Sequence, residues 1–361
     1  MLDRAKDFYH RHEPGCTAGL FVFGFLFDTL AVGRIDAVHN IIHQASYLSL
    51  CAFFAGLELR EVYGSFSPPE RLKAAWRYQA GATHFMLGTL LNIYTLFYFK
   101  SASFAVSSLF LLFLCALLYV NEAKPFGGSG VTLRLALFSL CLVSYFTYLV
   151  PVLVGSIGAW PFIGSLAAAA AALTPLAWWL LRKLPDRPHA VLRHVVLPFA
   201  AVELGFAILY FSKVIPPVPL SLSAIGIYHD VRQEGDRYAL TSTRSRWKFW
   251  QRGDQTFAAR PGDRVFAFIS VFSPTRFKER LQVRWLYKDP ALGWQDADAI
   301  PMAITGGRDG GFRGYTVKSR YKPGRWRVRI ETSDGRELGR IGLTIVEEAA
   351  QTPRATKTTW R

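Results

Sequence analysis

The sequence carries none of the common catalytic signatures. It has no Gly-x-Ser-x-Gly elbow, no phosphate-binding P-loop and no dinucleotide fingerprint. It has no His-Glu-x-x-His and no carboxylate-rich metal spacing, so no metal and no other cofactor is expected. Cysteine is scarce: Cys16, Cys51, Cys115 and Cys141 all lie in or at apolar segments, with no Cys-x-x-Cys pair. That excludes a disulfide framework and a cysteine zinc site, and leaves the four thiols as small core hydrophobes. A cleavable leader is missing too. A mixed-charge stretch, Met1–Glu13, precedes the first apolar run and no small-residue cleavage site follows, so that run reads as a retained helix.

Acids are the minority charge, 26 against 42 Lys and Arg, for a net charge of +16. The imbalance is uneven along the chain. Up to residue 212 there are 15 cations and 11 acids; beyond it there are 27 and 15. The first part is apolar runs broken by charged clusters, and the second is polar, Arg-rich and patterned for strands.

A bilayer core takes about 20 apolar residues per helix. Seven segments meet that need: Gly15–Val32, Ala37–Leu57, Gln79–Phe99, Ala102–Val120, Val131–Leu153, Gly158–Leu181 and Val195–Phe211. Thirteen Lys and Arg fall in one set of intervening loops, and only Arg34 and Lys100 in the alternate set. By the positive-inside rule the N-terminus is cytoplasmic, and an odd number of crossings puts the C-terminal part outside, in the periplasm of a bacterial inner membrane. The domains expected are a cytoplasmic N-terminus (1–14), a seven-helix bundle (15–212), a stiff, extended Pro-rich spacer (213–222), a β-sandwich (223–347) and a disordered tail (348–361).

Strand-like runs at Arg264–Phe272, Arg280–Tyr287, Phe312–Lys318, Arg325–Glu331 and Glu337–Val346, with weaker ones near Tyr238–Thr243 and Ala299–Ile304, are separated by Gly, Pro and Asp turns. About seven short strands suggest an immunoglobulin-like sandwich. Leu281, Val283, Trp285 and Tyr287 alternate with Gln282, Arg284 and Lys288. Trp326, Val328 and Ile330 alternate with Arg325, Arg327 and Arg329, and Ile341, Leu343 and Ile345 with Arg340. If these strands are neighbours, their outer face carries five Arg and one Lys with no acid among them. Such a face is either ordinary solvated surface or an anion-binding site for lipid headgroups, anionic glycans or an acidic protein partner. Nucleic acid is not expected outside the cytoplasm. Arg308 and Arg313 belong with the candidates: the Gly-rich run around Arg308 could offer backbone N–H groups to an anion, or be a plain turn.

Ionisable residues inside apolar helices are costly and carry functional hypotheses. Glu203 would lie roughly 13 Å from the cytoplasmic end of the last helix, near mid-membrane, either as a proton or substrate group or as a hydrogen-bonded stabiliser. Asp28, Arg34 and Asp36 cluster at the outer end of the first hairpin; Asp36 is placed to cap the second helix and Arg34 to pair with Asp28. His39 and His43 share a helix face. With His84 they are bundle hydrogen-bonders, a proton relay or metal ligands, and a depth difference of roughly 10 Å between His43 and His84 argues against a shared haem.

Two sets of residues carry a resemblance. Gly24-Phe25-Leu26-Phe27-Asp28 with Gly33-Arg34-Ile35-Asp36 resembles the opening hairpin of an uncharacterised bacterial inner-membrane family. Phe272-Ser273-Pro274, Arg284-Trp285, Gly306-Gly307-Arg308, Gly311-Phe312-Arg313 and Pro323-Gly324-Arg325-Trp326-Arg327-Val328 resemble that family's C-terminal module, a domain of unknown function. The resemblance implies a membrane part plus a β module and brings no substrate, cofactor or catalytic residue. The expectation is therefore a non-enzymatic membrane protein with a structural, adaptor or sensing role, whose basic domain binds an anionic envelope component or partner. The alternative is a transporter or membrane-embedded enzyme built on Glu203 and the His39/His43 face.

Overall fold

The computed structural model describes residues 35–103, 106–108, 110, 112–114, 130–245, 247–248, 250–275, 277–305, 311–349 and 353–361. The expected span Gly15–Val32, most of Ala102–Val120, Asp28, Arg34 and Arg308 lie outside them.

The N-terminal part is helical: α1 (Val38–Val62), the short α2 (Lys73–Trp76), α3 (Gln79–Ser101), α4 (Val131–Val154), α5 (Ala159–Lys183) and α6 (Pro188–Phe211). Helix α4 is central, with α1, α3, α5 and α6 packed around it. Its apolar residues run all the way round, and Leu135, Phe138, Cys141, Val143 and Tyr148 are buried. Gly155, in the left-handed region at φ 77°, ends α4 by donating to Pro151 O at 2.8 Å.

Seven spans are not supported. Among the described residues three helices, α4, α5 and α6, are long and apolar enough to cross a membrane. The second and third expected spans do form helices, α1 and α3, of comparable length. They are more polar because both ends of α1 carry titratable groups, and Gln44, Gln79, Thr83 and Thr95 face inward along α1 and α3.

The C-terminal part is β-rich, with eleven strands among the described residues in place of the seven read from sequence. They are β1 (Ser221–Tyr228), β2 (Asp230–Glu234), β3 (Arg237–Ser242), β4 (Thr256–Ala259), β5 (Val265–Phe272), β6 (Lys278–Asp289), β7 (Gly293–Thr305), β8 (Phe312–Lys318), β9 (Gly324–Thr332), β10 (Glu337–Glu347) and β11 (Lys357–Trp360). The strands form three sheets ordered β1-β5-β8, β4-β10-β9-β6-β7 and β11-β3-β2. Strand β5 explains the layering. It is apolar on both faces. Val265, Ala267, Ile269 and Val271 pack with Leu281, Val283, Trp285 and Val328 of the five-stranded sheet, while Phe266 and Phe268 pack with Val231, Tyr238 and Leu240 of the β11-β3-β2 sheet. A strand covered on both sides needs no polar alternation. Strand β7 is long and polar and holds Pro301, as befits an edge. Gly335, at φ 77°, makes the β9–β10 hairpin turn read from Asp334-Gly335, its N–H donating to Thr332 O at 2.9 Å.

Two further expectations fail. The last residues are no disordered tail: β11 pairs antiparallel with β3, Lys357 opposite Ser242 and Trp360 opposite Ala239, because β3 would otherwise be an open edge. The Pro-rich stretch, expected as a stiff, extended spacer, is instead packed between the two parts. Ile215–Leu220 is buried, with Ile215 and Val218 in the helical core and Leu220 in the core of the sandwich. Apolar residues between the prolines make it a packed joint.

Polar contacts fasten that joint. Arg336 donates from Nη2 to the Tyr210 hydroxyl at 2.7 Å, and its guanidinium lies 4.1 Å from the centre of the Tyr210 ring. That ring is stacked at 3.7 Å on Phe162 of α5. Glu337 accepts from Ser103, and Glu279 accepts from Ile157 N at 2.8 Å. Asp36 does not cap α1, whose N-cap position is Ala37; its carboxylate reaches across to accept from Thr275 N (3.3 Å) and Thr275 Oγ1 (3.2 Å). The β-rich domain therefore sits on the helix ends that carry few cations. At the opposite ends Arg60 lies over Trp179, Arg187 over Tyr63, and Arg134 pairs with Glu58.

Candidate functional site

The arginine face forms as the alternation requires. Arg284 of β6 is directly opposite Arg329 of β9, which is opposite Arg340 of β10. On the other face of the same strands Trp285, Val328 and Ile341 meet in the core, and the Trp285 indole donates to Thr316 Oγ1 at 3.2 Å. Three guanidiniums in one row would repel. The structure answers with acids that the sequence reading did not place there. Glu331 accepts from Arg284 Nε at 2.7 Å and contacts Arg329, Asp296 lies 3.3 Å from Arg284, and Glu337 grips Arg340 through both carboxylate oxygens. The signal was available: Glu331 is the next step of the period-two series Arg325, Arg327, Arg329. The expectation that no acid lies among these cations is thus corrected.

What stays open to a partner is narrower. Arg325 and Lys288 are exposed and have no ion-pair partner among the described residues. Arg327 lies 4.0 Å over the ring of Trp294, a residue on β7 opposite Lys288. Burial, and then Arg340, hold the Arg327 guanidinium below its ordinary value, while the Glu337 hydrogen bond raises Arg340. Arg327 and Arg340 both remain charged near neutrality. A cation stacked on an indole beside two unpaired cations can take a flat or extended anion by charge and ring contact. Arg313 does not join this face. It lies on β8, in another sheet, and donates to Asp236 O at 3.2 Å.

The helical candidates stay separate. His39 and His43 are exposed on α1, and His43 packs against Tyr47 with ring centres 4.2 Å apart. His84 is half-buried on α3. No hydrogen bond or ion pair links any of them to Glu203 among the described residues, and no group of His, Cys, Asp and Glu there could hold a metal ion. Glu203 is half-buried on α6, and its Oε1 is buried without a hydrogen-bond partner among the described residues.

Two clusters went unread in the sequence. At the cation-rich end His194 is held between the Tyr63 hydroxyl (2.9 Å to Nε2) and Thr132 Oγ1 (2.5 Å to Nδ1), in a π-helical turn at Leu192–Val196. Inside the β-rich domain Arg354 bonds Asp263 (2.6 Å), Glu348 (3.0 Å) and His229 Nδ1 (3.3 Å), and the His229 ring stacks on Phe257 at 4.0 Å. Burial, and then the Arg354 charge, lower His229 to about 4. Both clusters join residues far apart in the chain, so spacing gave no clue.

Residues 278–345 match the family described as Protein of unknown function (DUF2914). The match takes in β6 to the end of the arginine row on β10, and every cation offered as an anion ligand. No curated protein matches the chain. Among solved structures, an immunoglobulin-like protein from Pseudomonas aeruginosa aligns at 12% identity over 36% of this chain and 98% of its own, with a TM-score of 0.22. A beta-glucosidase from Listeria innocua in complex with glucose aligns at 12% identity over 30% of this chain and 16% of its own, with a TM-score of 0.19. This chain thus spans about a sixth of that enzyme's length. Scores this low make neither an overall structural relative.

Proposed function

We propose that this chain is a non-enzymatic integral membrane protein that holds a basic, immunoglobulin-like sandwich against the outer side of a bacterial inner membrane, where the sandwich binds an anionic envelope component or an acidic partner. Residues 15–32 and 102–120 would complete, with α1 and α3 to α6, a seven-span bundle with its N-terminus in the cytoplasm. Two observations support that placement. Helices α5 and α6 leave Trp160, Ile163, Leu197, Leu204 and Ile208 exposed, apolar surface that lipid would cover. The loop cations gather at the ends away from the β-rich domain, as the positive-inside rule asks. A reporter fused after Arg361 should be active only outside the cytoplasm.

The observation that carries the binding role is the set Arg325, Lys288 and Arg327 on Trp294. Detergent-solubilised full-length protein should be retained on heparin, an anionic glycan, and released by salt. Arg325→Glu with Arg327→Glu should weaken retention severalfold. Retention that ignores both salt and the double variant would sink the proposal.

Glu203 supports a second reading, transport or intramembrane chemistry, because of its unpartnered buried oxygen. Glu203→Gln should then abolish proton-coupled uptake in proteoliposomes while the protein still inserts; unchanged flux removes that reading.

A further inference from the structure

The loop between β3 and β4 is the least sandwich-like part of the β-rich domain. Four basic and three aromatic residues lie between Thr243 and Gly253, with no acid among them. Trp247 is 85% exposed and Trp250 67%, although tryptophan is highly buried on average. The exposure is built in. Arg244 donates from Nη1 to the carbonyls of Lys248 (2.8 Å) and Gln251, and Thr243 N donates to Asp254 at 2.9 Å, so the loop is braced from within while its indoles face outward.

Its position can be traced. Strand β1 starts at the bundle and runs away from it: Ser221 and Ser223 line a cavity of about 360 Å³ with Phe97, Lys100 and Ser101 at the end of α3. Gly253 bridges Ile227 of β1 in parallel. The residue before Gly253 therefore lies on its bundle side, and the chain leading to it is wound in turns, Lys248 N donating to Ser245 O at 3.1 Å and Gln251 N to Lys248 O at 3.0 Å. Arg252 confirms the direction, its carbonyl accepting from Ile227 N while its guanidinium reaches back to donate to Ser223 O at 3.0 Å. The loop thus enters Gly253 from the side on which Arg252 reaches Ser223, the side of β1 that faces the helix ends.

We propose that this loop lies on the membrane leaflet beneath the β-rich domain, with Trp247 and Trp250 at headgroup depth and Lys248 and Arg252 against anionic phospholipid headgroups. The inference rests on the membrane reading above and adds a surface distinct from the arginine face. The chemistry fits one occupant. Indoles are amphipathic and favour the interface, and basic side chains next to them are drawn to an anionic leaflet, so the two act together where either alone is weak.

The test uses the full chain in nanodiscs of phosphatidylcholine, with and without phosphatidylglycerol, and follows amide hydrogen exchange in peptides covering 243–252. Exchange should slow severalfold in the anionic discs. Trp247→Ser and Lys248→Glu should each restore the rate seen in phosphatidylcholine, and β5 peptides should not change, showing that both variants are folded. Equal loop exchange in the two discs, or slowing that ignores Lys248→Glu, overturns the lipid contact. A chain that never enters discs overturns the membrane reading itself, and the lipid contact with it.

Discussion

Glu331 offsets much of the arginine charge on the five-stranded sheet that the proposed anionic partner would meet. Its carboxylate is buried between Arg284 and Arg329, so removing its charge leaves two half-buried guanidiniums facing each other. Glu331→Gln should lower the stability of the β-rich domain by about 2 kcal/mol, the loss expected when one partner of a half-buried ion pair is neutralised. The same change should raise affinity for heparin. Thermal unfolding and retention on heparin would then move in opposite directions, whereas a purely structural acid would change the first and leave the second alone.

The alternation of Trp326, Val328 and Ile330 with arginines gave β9 its faces from sequence alone, because a half-buried strand writes burial into every second residue. Strand β5 carried a subtler message: apolar on both faces from Val265 to Phe272, it called for cover on both sides, which the β11-β3-β2 sheet supplies. Strands β2, β4 and β11 were not legible, being four or five residues long, and the eight-residue β1 went unread because its start was taken into the Pro-rich spacer. Of the site, the cations could be read, and Glu331 by extending their period, whereas Glu337 and Trp294 could not, since they depend on the bulge in β10 and on register between β6 and β7. The C-terminal segment is held by Arg354 as well as by β11, and that element has a pH dependence. Neutral His229 accepts from Arg354, so a proton on Nδ1 must displace the guanidinium. His229 falls from an ordinary 6.5 to about 4, so the unfolded chain binds the proton first as pH drops. The stabilisation is complete above pH 6.5 and is lost as pH falls toward 4, up to about 3 kcal/mol. Asp254, 3.7 Å from His229 Nε2 and held above its ordinary value by burial, pulls the other way at the acid end. Asp263 and Glu348, held low mainly by hydrogen bonds from Arg354 and Arg260, add acid loss below that window. The difference in unfolding temperature between wild type and His229→Asn across that range isolates the histidine. Curves that stay parallel would show that the ring is protonated equally in both states.

At the scale of the whole molecule, Arg336 ties the two parts together. It is 5% exposed, paired with Asp334, and set on the Tyr210–Phe162 stack at the end of α6. Arg336→Ala leaves Asp334 without its guanidinium and removes the cation from the ring, and should cost about 3 kcal/mol. The expected signature is uncoupling. Calorimetry should resolve two transitions in the variant against one in wild type, both to be measured, and protease should cut the variant first within 213–222. A single, uniformly lowered transition would show that Ile215, Val218 and Leu220 suffice to keep the parts together.

That buried joint between α6 and β1 has a mechanical outcome. With no free tether, the head cannot sweep a volume around its anchor; its cationic side is held at one distance and one tilt from the helix ends. On the proposed function, a target would have to come to that distance, and capture would be set by what stands a fixed distance above the lipid. Inserting a flexible glycine-serine segment after Pro217 would keep every ligand-facing side chain and still lose that selection by altitude.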